Sequence, residues 1–274
     1  MTNNTKKTLL IVFEVFMIIV AFIFMIPVLL TLINSLKTDA QIYQNPASFP
    51  TSIQIINFVN AWKETKFPLV FFNTFLITSL STVGIILVSS MASYAMVRTK
   101  SKLSWAFFLL FTFSMVVPFQ TIMIPLVVTA KALNLKNIFG IIPIYFGLGC
   151  PMAIFMYHGF IKGIPLELEE SAAIDGASIF RTFFTIVLPL LTPITATIAI
   201  LDVLWIWNDF LLPLIILPKQ TTIQLAQYGF FGQFKTEFGK AMASLVLSAS
   251  PIVIFYLAMQ KYIIKGIMAG AIKG

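Results

Sequence analysis

The sequence predicts an all-α, polytopic membrane protein with six transmembrane helices, and three observations carry that prediction. Apolar residues make up 59% of the 274 positions and charged residues only 10%, with 28 phenylalanines, whereas soluble domains carry about 25% charged residues. No soluble fold hides that much apolar surface. The 18 basic and 10 acidic residues, net +8, fall in short clusters between apolar stretches, which is a membrane topology and not a nucleic-acid patch. Finally, six of the apolar intervals reach the roughly 20 residues that a helix needs to cross the hydrocarbon core.

The first interval, Leu9 to Ile33, holds one charge, Glu14, and follows Lys6 and Lys7. It is too long for a signal peptide's apolar region and no small-residue cleavage pattern follows, so it reads as an uncleaved anchor helix. The second lies between Lys66 and Arg98, the third between Lys102 and Lys131, and the fourth between Lys136 and Lys162, none with a formal charge inside. The fifth runs from about Ile186 to Leu217 and carries Asp202 and Asp209; the sixth fills the interval from Lys240 to Lys261. Pro27, Pro118, Pro125, Pro143, Pro151 and Pro251 fall within these spans, where neighbouring helices can satisfy the carbonyls that a proline frees. Cys150, the single cysteine, sits in an apolar run as a small core residue and allows no intrachain disulfide.

Lys and Arg placement sets the orientation. With both termini cytoplasmic, Lys6, Lys7, Arg98, Lys100, Lys102, Lys162, Arg181, Lys261, Lys265 and Lys273 lie inside, ten of the 18 basic residues, and the tight Arg98 to Lys102 cluster is the strongest local signal. The longest outside connection, Asn34 to Pro68, contains Tyr43, Pro46, Pro50 and Trp62. Such residues suggest a structured cap near the headgroups, not a floppy linker.

The loop from Lys162 to about Leu188 breaks the apolar pattern and concentrates four of the ten acids. Pro165 suits a helix start, and Glu167, Glu169 and Glu170 follow in or near the first turn, where the positive end of the dipole favours carboxylates. Gly176 can adopt the left-handed conformation that ends a helix, after which Ala177 and Ser178 begin a second short one carrying Ile179, Phe180, Phe183 and Phe184. The product is a helix-turn-helix along the membrane surface. Its small residues and acids suit a docking protein with basic side chains, and they also suit an amphipathic helix resting on headgroups.

Glu170-Ser171-Ala172-Ala173-Ile174-Asp175-Gly176, nine further residues, and then Ile186-Val187-Leu188-Pro189 resembles the EAA signature of ABC import permeases. The register matches without insertion, and Ser171 stands where that family usually has alanine. The resemblance implies a type I ABC importer permease fold and makes this loop a coupling helix that docks in a cleft of a cytoplasmic ATPase. Glu170, Ser171, Ala172, Ala173, Asp175, Gly176 and Ala177 are then the coupling positions.

Other passages resemble, more narrowly, the maltose-type permeases of carbohydrate importers: Asn73-Thr74-Phe75 and Met91-Ala92-Ser93-Tyr94-Ala95 in span two, Trp207-Asn208-Asp209-Phe210 in span five, and Gln260-Lys261-Tyr262 leading to Gly266-Ile267-Met268-Ala269-Gly270-Ala271-Ile272-Lys273-Gly274. The glycines of that ending have a GxxxG spacing, but Lys265 and Lys273 place them outside the hydrocarbon, where they read as a flexible tail. The implied organisation is an anchor helix and outer loop over residues 1–68, a permease core over 69–262 with the coupling loop at about 162–188, and a cytoplasmic tail over 263–274.

An ionisable residue near mid-membrane costs about 2.5 to 3.5 kcal/mol on insertion scales and faces protein or water. Asp202 has two readings. It lines a solute path with Asn73, Trp205, Asn208 and Asp209, the ring stacking on a sugar and the polar groups bonding hydroxyls, or Asp202 and Asp209 bond neighbouring helices or a partner permease. His158, the only histidine, reads as a satisfied interfacial side chain and cannot form a metal cluster alone.

No G-x-x-x-x-G-K-[ST] phosphate loop is present, since Gly232 to Lys240 has too many residues between its glycines. The expected protein is therefore no enzyme and holds no cofactor, because ATP would be bound by partner subunits. Its implied partners are a second homologous permease, two cytoplasmic ATPase subunits, an extracellular or periplasmic solute-binding protein and membrane lipid, with no nucleic acid, in a bacterial or archaeal inner membrane. The rivals are an ABC permease for a non-sugar solute and a self-sufficient secondary carrier; the latter usually shows repeated halves or buried charge relays, neither of which is evident.

Overall fold

The structure, a computed structural model, describes residues 3–218, 221–231 and 237–271. No β-strand occurs among them, and the helices follow as α1 (Asn3–Ser35), α2 (Asp39–Gln44), α3 (Ile56–Glu64), α4 (Phe67–Thr99), α5 (Lys102–Ser114), α6 (Phe119–Ala132), α7 (Ile138–Ile161), α8 (Glu167–Ile174), α9 (Ile179–Thr182), a π turn (Phe183–Val187), α10 (Leu188–Leu190), α11 (Thr192–Asn208), α12 (Leu211–Ile216), α13 (Ile223–Tyr228) and α14 (Phe238–Ala271). Four helices, α1, α4, α7 and α14, are each long and apolar enough to cross a membrane. Two bent pairs complete six spans: α5 with α6, bent by 105°, and the Ile179–Leu190 segment with α11, bent by 75°.

The bends refine the charge-interval reading. Prolines 27, 125, 143, 151 and 251 lie inside helices, but Pro118 does not. Its extended ψ of 137° makes it the residue that opens α6, and its ring disfavours helical geometry for Val117 just before it. Span five is also discontinuous. Asp209 ends α11 with an extended ψ of 124°, and its carboxylate accepts the Leu211 and Leu212 amides at 3.0 and 3.4 Å, so Ile186 to Leu217 is not one helix. At the other end of the chain, α14 continues to Ala271. Gly266 and Gly270 therefore continue a helix where a flexible tail was expected, and residues 272–274 lie outside the described residues.

Tight turns join several of the helices. Lys66, Lys100 and Asn134 adopt φ of 52°, 49° and 55°, a left-handed conformation uncommon away from glycine, and each sits in a short connection between two helices. Side chains then start the next helix: Ser101 accepts from the Ser104 amide, and Asn137 from those of Phe139 and Gly140.

The chain divides into two compact units. One comprises residues 1–68 and 226–250, and here the Asn34 to Pro68 connection is structured, with α2 capped by Thr38. Lys37 is fully buried, its ammonium donating to the Asn45 and Pro46 carbonyls at 3.1 and 3.2 Å. The Asn57 amide bonds the Ser35 and Lys37 carbonyls. A buried lysine needs such acceptors, since an unpaired buried charge is prohibitively costly.

The other unit comprises residues 69–225 and 251–274. Its centre is α7, against which α5 and α11 pack. On α4 a buried stripe of Thr74, Thr78, Ser81, Thr82, Ser89, Ser90 and Ser93 recurs at helical spacing, and Ser93 donates to the Ile154 carbonyl of α7 at 3.1 Å. Small residues allow close helix approach in membranes, where lipid is as apolar as leucine and packing must supply the association. At the start of α7, a Cβ on Gly140 would lie 2.3 Å from the Leu135 carbonyl oxygen.

Gly140→Ala is therefore expected to destabilise the protein by about 1–3 kcal/mol, read as a lower unfolding midpoint in detergent. Gly159→Ala in the same helix, where a Cβ meets nothing within 4 Å, is expected to leave the midpoint unchanged or raise it; equal effects from the two changes would contradict the close approach.

Candidate functional site

The loop between α7 and α11 folds as its residues dictate. Helix α8 carries Glu167, Glu169 and Glu170 in its first turn, where the exposed amides and the dipole favour anions. Gly176 has φ +78°, and the Gly176 and Ala177 amides close the helix end on the Ala173 and Ala172 carbonyls at 3.0 and 2.9 Å. Ser178 then caps α9 by accepting the Arg181 amide. Glu170, Ser171, Ala173, Asp175 and Gly176 are exposed, Ala172 is buried and Ala177 is half-buried. Among the described residues, nothing beyond its chain neighbours lies within 4 Å of a Cβ placed on Gly176, so its outer side is open.

What fastens this surface to the bundle is a residue outside the expected set. Glu169, 8% exposed, accepts from Arg98 Nε and Nη2 at 2.9 and 2.6 Å on one carboxylate oxygen and from the Tyr94 hydroxyl at 2.8 Å on the other. Arg98 Nη2 also reaches the Ile164 carbonyl at 3.2 Å. Both carboxylate oxygens are thus satisfied, the condition under which a buried charge is tolerated. The sequence held a signal for this: Glu169 lies one position from the exposed Glu170, so on a helix the two point in different directions.

Of the span-five candidates, the structure brings Trp205 and Asp209 together. They line a cavity of ≈ 470 Å³ at the elbow between α5 and α6, with Ser114, Phe119, Gly147 and Pro151. Trp205 is 40% exposed and meets Tyr145 edge-on, ring centroids 5.5 Å apart. Asp209 bonds within the chain, accepting the Tyr145 hydroxyl at 3.0 Å besides the α12 amides. Asn208 is exposed and its amide donates to the Leu204 carbonyl at 2.7 Å. Asn73 and Asp202 do not line this cavity. The Asn73 amide donates to the Thr221 carbonyl at 2.9 Å, and next to it the Thr74 hydroxyl accepts the Ile223 amide, tying α4 to the segment entering α13. Asp202, 8% exposed, has no hydrogen-bond partner for its buried Oδ2 among the described residues.

His158 is buried and stacks on Phe108 with ring centroids 3.8 Å apart, and Cys150 is buried in the core around α7. The Gly232 to Lys240 segment lies partly outside the described residues.

Residues 84–268 match the family described as binding-protein-dependent transport system inner membrane component. The chain is 38% identical over 258 residues to the probable starch degradation products transport system permease protein of Thermoanaerobacterium thermosulfurigenes, covering 93% of this chain and 94% of that one. It is 39% identical over 262 residues to the melibiose/raffinose/stachyose import permease protein of Bacillus subtilis, covering 93% and 94%. A chain in the crystal structure of a bacterial ABC transporter involved in the import of the acidic polysaccharide alginate superposes with a TM-score of 0.79 and 21% identity, covering 96% of this chain and 99% of that one. That likeness shows a shared fold.

The Arg98–Glu169 pair predicts a coupling that surface ion pairs lack. Arg98→Gln and Glu169→Gln are each expected to lower the unfolding midpoint, and the double variant to cost less than their sum, by more than the roughly 1 kcal/mol of an exposed pair. Strict additivity would show that the two side chains do not act as a unit.

Proposed function

The chain belongs to the family of binding-protein-dependent transport system inner membrane components, and from that premise we propose that it is half of the pore of an ATP-driven importer for a sugar or oligosaccharide. The observation that carries the proposal is the exposed surface of Glu170, Ser171, Ala173, Asp175 and Gly176 on and just after α8, held from behind by Glu169 on Arg98. A docking helix must offer its outer face to a partner while its inner face is tied to a membrane span, so that a push at one end moves the other. This loop has both properties.

ATP is hydrolysed by two ATPase subunits, not by this chain, and their closure pulls on this coupling helix and on that of a second, homologous permease. A solute-binding protein delivers solute on the opposite side. Lys and Arg placement supports both termini lying in the cytoplasm, with residues 69–262 as the permease core, the inner membrane as the location, and no cofactor held by this chain. The carbohydrate assignment rests on relatives whose names specify starch degradation products and melibiose, raffinose and stachyose. It is supported by the cavity at the α5–α6 elbow, where the exposed Trp205 ring offers an apolar face to a sugar ring; Asn208, exposed and next in sequence to the lining Asp209, is the amide for a hydroxyl. Asp209 shapes that wall through its own bonds to Tyr145 and α12, and Asn73 and Asp202 act as structural groups of the bundle.

The test is co-purification with the cognate ATPase and companion permease. Wild type is expected to retain the ATPase; Gly176→Asn, which tolerates the left-handed backbone, is expected to assemble but transport poorly; and Gly176→Val, which does not, is expected to lose the ATPase. Transport of solute by the chain alone in liposomes would overturn the reading.

A further inference from the structure

A second cavity, of ≈ 290 Å³, opens where α4, α5 and α7 meet, at the same end of the bundle as the Arg98–Glu169 pair. Lys100, Ser101, Ser104, Trp105, His158 and Lys162 are among its lining residues, and no carboxylate lines it among the described residues. We propose that this cavity binds the phosphate of an anionic phospholipid in the leaflet facing the coupling loop; only the identity of that leaflet as cytoplasmic rests on the function proposed above.

Its charges are uncommitted. Arg98, two residues before Lys100, is spent on Glu169, but among the described residues neither Lys100 nor Lys162 has a carboxylate partner, and Lys162 stands 6.0 Å over the Phe108 ring. Two cations in one cavity without counter-charge repel each other, and an incoming phosphate relieves that repulsion. Hydrogen-bonding capacity is uncommitted too. His158 lines the cavity, its ring has no hydrogen-bond partner among the described residues, and Phe108 fixes it by stacking. The cavity also includes the start of α5, a 13-residue helix whose positive dipole end adds to the attraction for an anion.

A lipid and not a soluble anion is indicated by the surroundings. Trp105 is 65% exposed and Leu103 67%, so the rim is a lysine and serine edge followed at once by an outward apolar face. Indole rings favour that headgroup level of a bilayer, and basic pockets between membrane helices on the cytoplasmic side suit phospholipid head groups. A phosphate in the cavity would leave its acyl chains along the exposed α5 surface.

The transporter, assembled with its companion permease and ATPase, is reconstituted in nanodiscs of phosphatidylcholine and phosphatidylglycerol in equal parts. Retained lipid and ATPase are then counted by native mass spectrometry. Wild type is expected to retain phosphatidylglycerol over phosphatidylcholine by roughly five- to tenfold, and the Lys100→Gln/Lys162→Gln variant to keep its ATPase and lose that preference. An unchanged preference in the variant overturns the proposal, as does a preference abolished by millimolar inorganic phosphate, which would mark a site for soluble anions. Loss of ATPase with the lipid preference intact would assign the lysines to the protein partner and also overturn it. Should the variant fail to assemble, a photoactivatable phosphatidylglycerol on wild type decides: labelling within residues 96–108 and 158–162 supports the site, and labelling elsewhere overturns it. Wild type that prefers phosphatidylglycerol but holds no ATPase would sink the coupling function and leave this site standing.

Discussion

The contact on which the working surface depends is the ion pair between Arg98 and Glu169, 2.6 Å long and largely shielded from solvent. Helix α8 is only eight residues long, too short to persist alone in water, where nucleation costs are barely recovered over several turns. It exists because something outside it holds it. Ala172 buries a small side chain beneath it, Ala177 closes its end, and Glu169 ties it to α4 through a guanidinium and a phenol. Partial burial makes the tie strong and also makes it intolerant, since either charge left without the other would face a desolvation cost with no compensation. A flexible surface loop moves independently of the bundle; a loop pinned at its first turn cannot move without the span behind it.

That span, α4, is itself set by packing. Its stripe of threonines and serines meets α7 at Ser93, which bonds the Ile154 carbonyl, and nearby Ile85 of α4 lies 2.5 Å from a would-be Cβ on Gly149. Bulky residues face outward from the same helix, such as Phe72, Phe75 and Val83. The arrangement inverts the rule of soluble cores, since the largest apolar groups meet lipid while small and weakly polar ones meet protein. It gives a rigid connection from the ion pair toward the cavity beside Trp205, because α7 and α11 pack on each other and both line it.

How much of this was legible follows the same physics. The span count came directly from charge intervals, because the bilayer imposes a length that no tertiary contact can relax. The helix-turn-helix of the loop was legible to individual residues, Gly176 at φ +78° and Ser178 as a cap, because caps and left-handed turns are local chemistry. Long-range choices were hidden. Nothing local distinguishes Pro118, which breaks a span, from Pro125 seven residues on, which a helix absorbs. Nor does the sequence disclose that Asp209 closes one helix and opens the next while the buried Oδ2 of Asp202 has no partner among the described residues. Glu169 reads as one of three first-turn acids and Arg98 as a topology-setting cation, and neither reading discloses that the two side chains meet across 71 residues.

A division of labour among similar side chains follows. Three acids in one turn do separate things: Glu167 and Glu170 remain at the surface, and Glu169 is withdrawn into an ion pair. The basic cluster at the end of α4 divides the same way, with Arg98 bound inward and Lys100 left facing a cavity. Guanidinium geometry explains the inward choice, since one planar group can serve a carboxylate and a backbone carbonyl together, whereas an ammonium is a hydrated point charge better suited to a wet rim. Exchanging the two residue types would therefore cost this end of the protein more than their equal charge suggests, because the inner position needs a fork and the outer one needs only a cation.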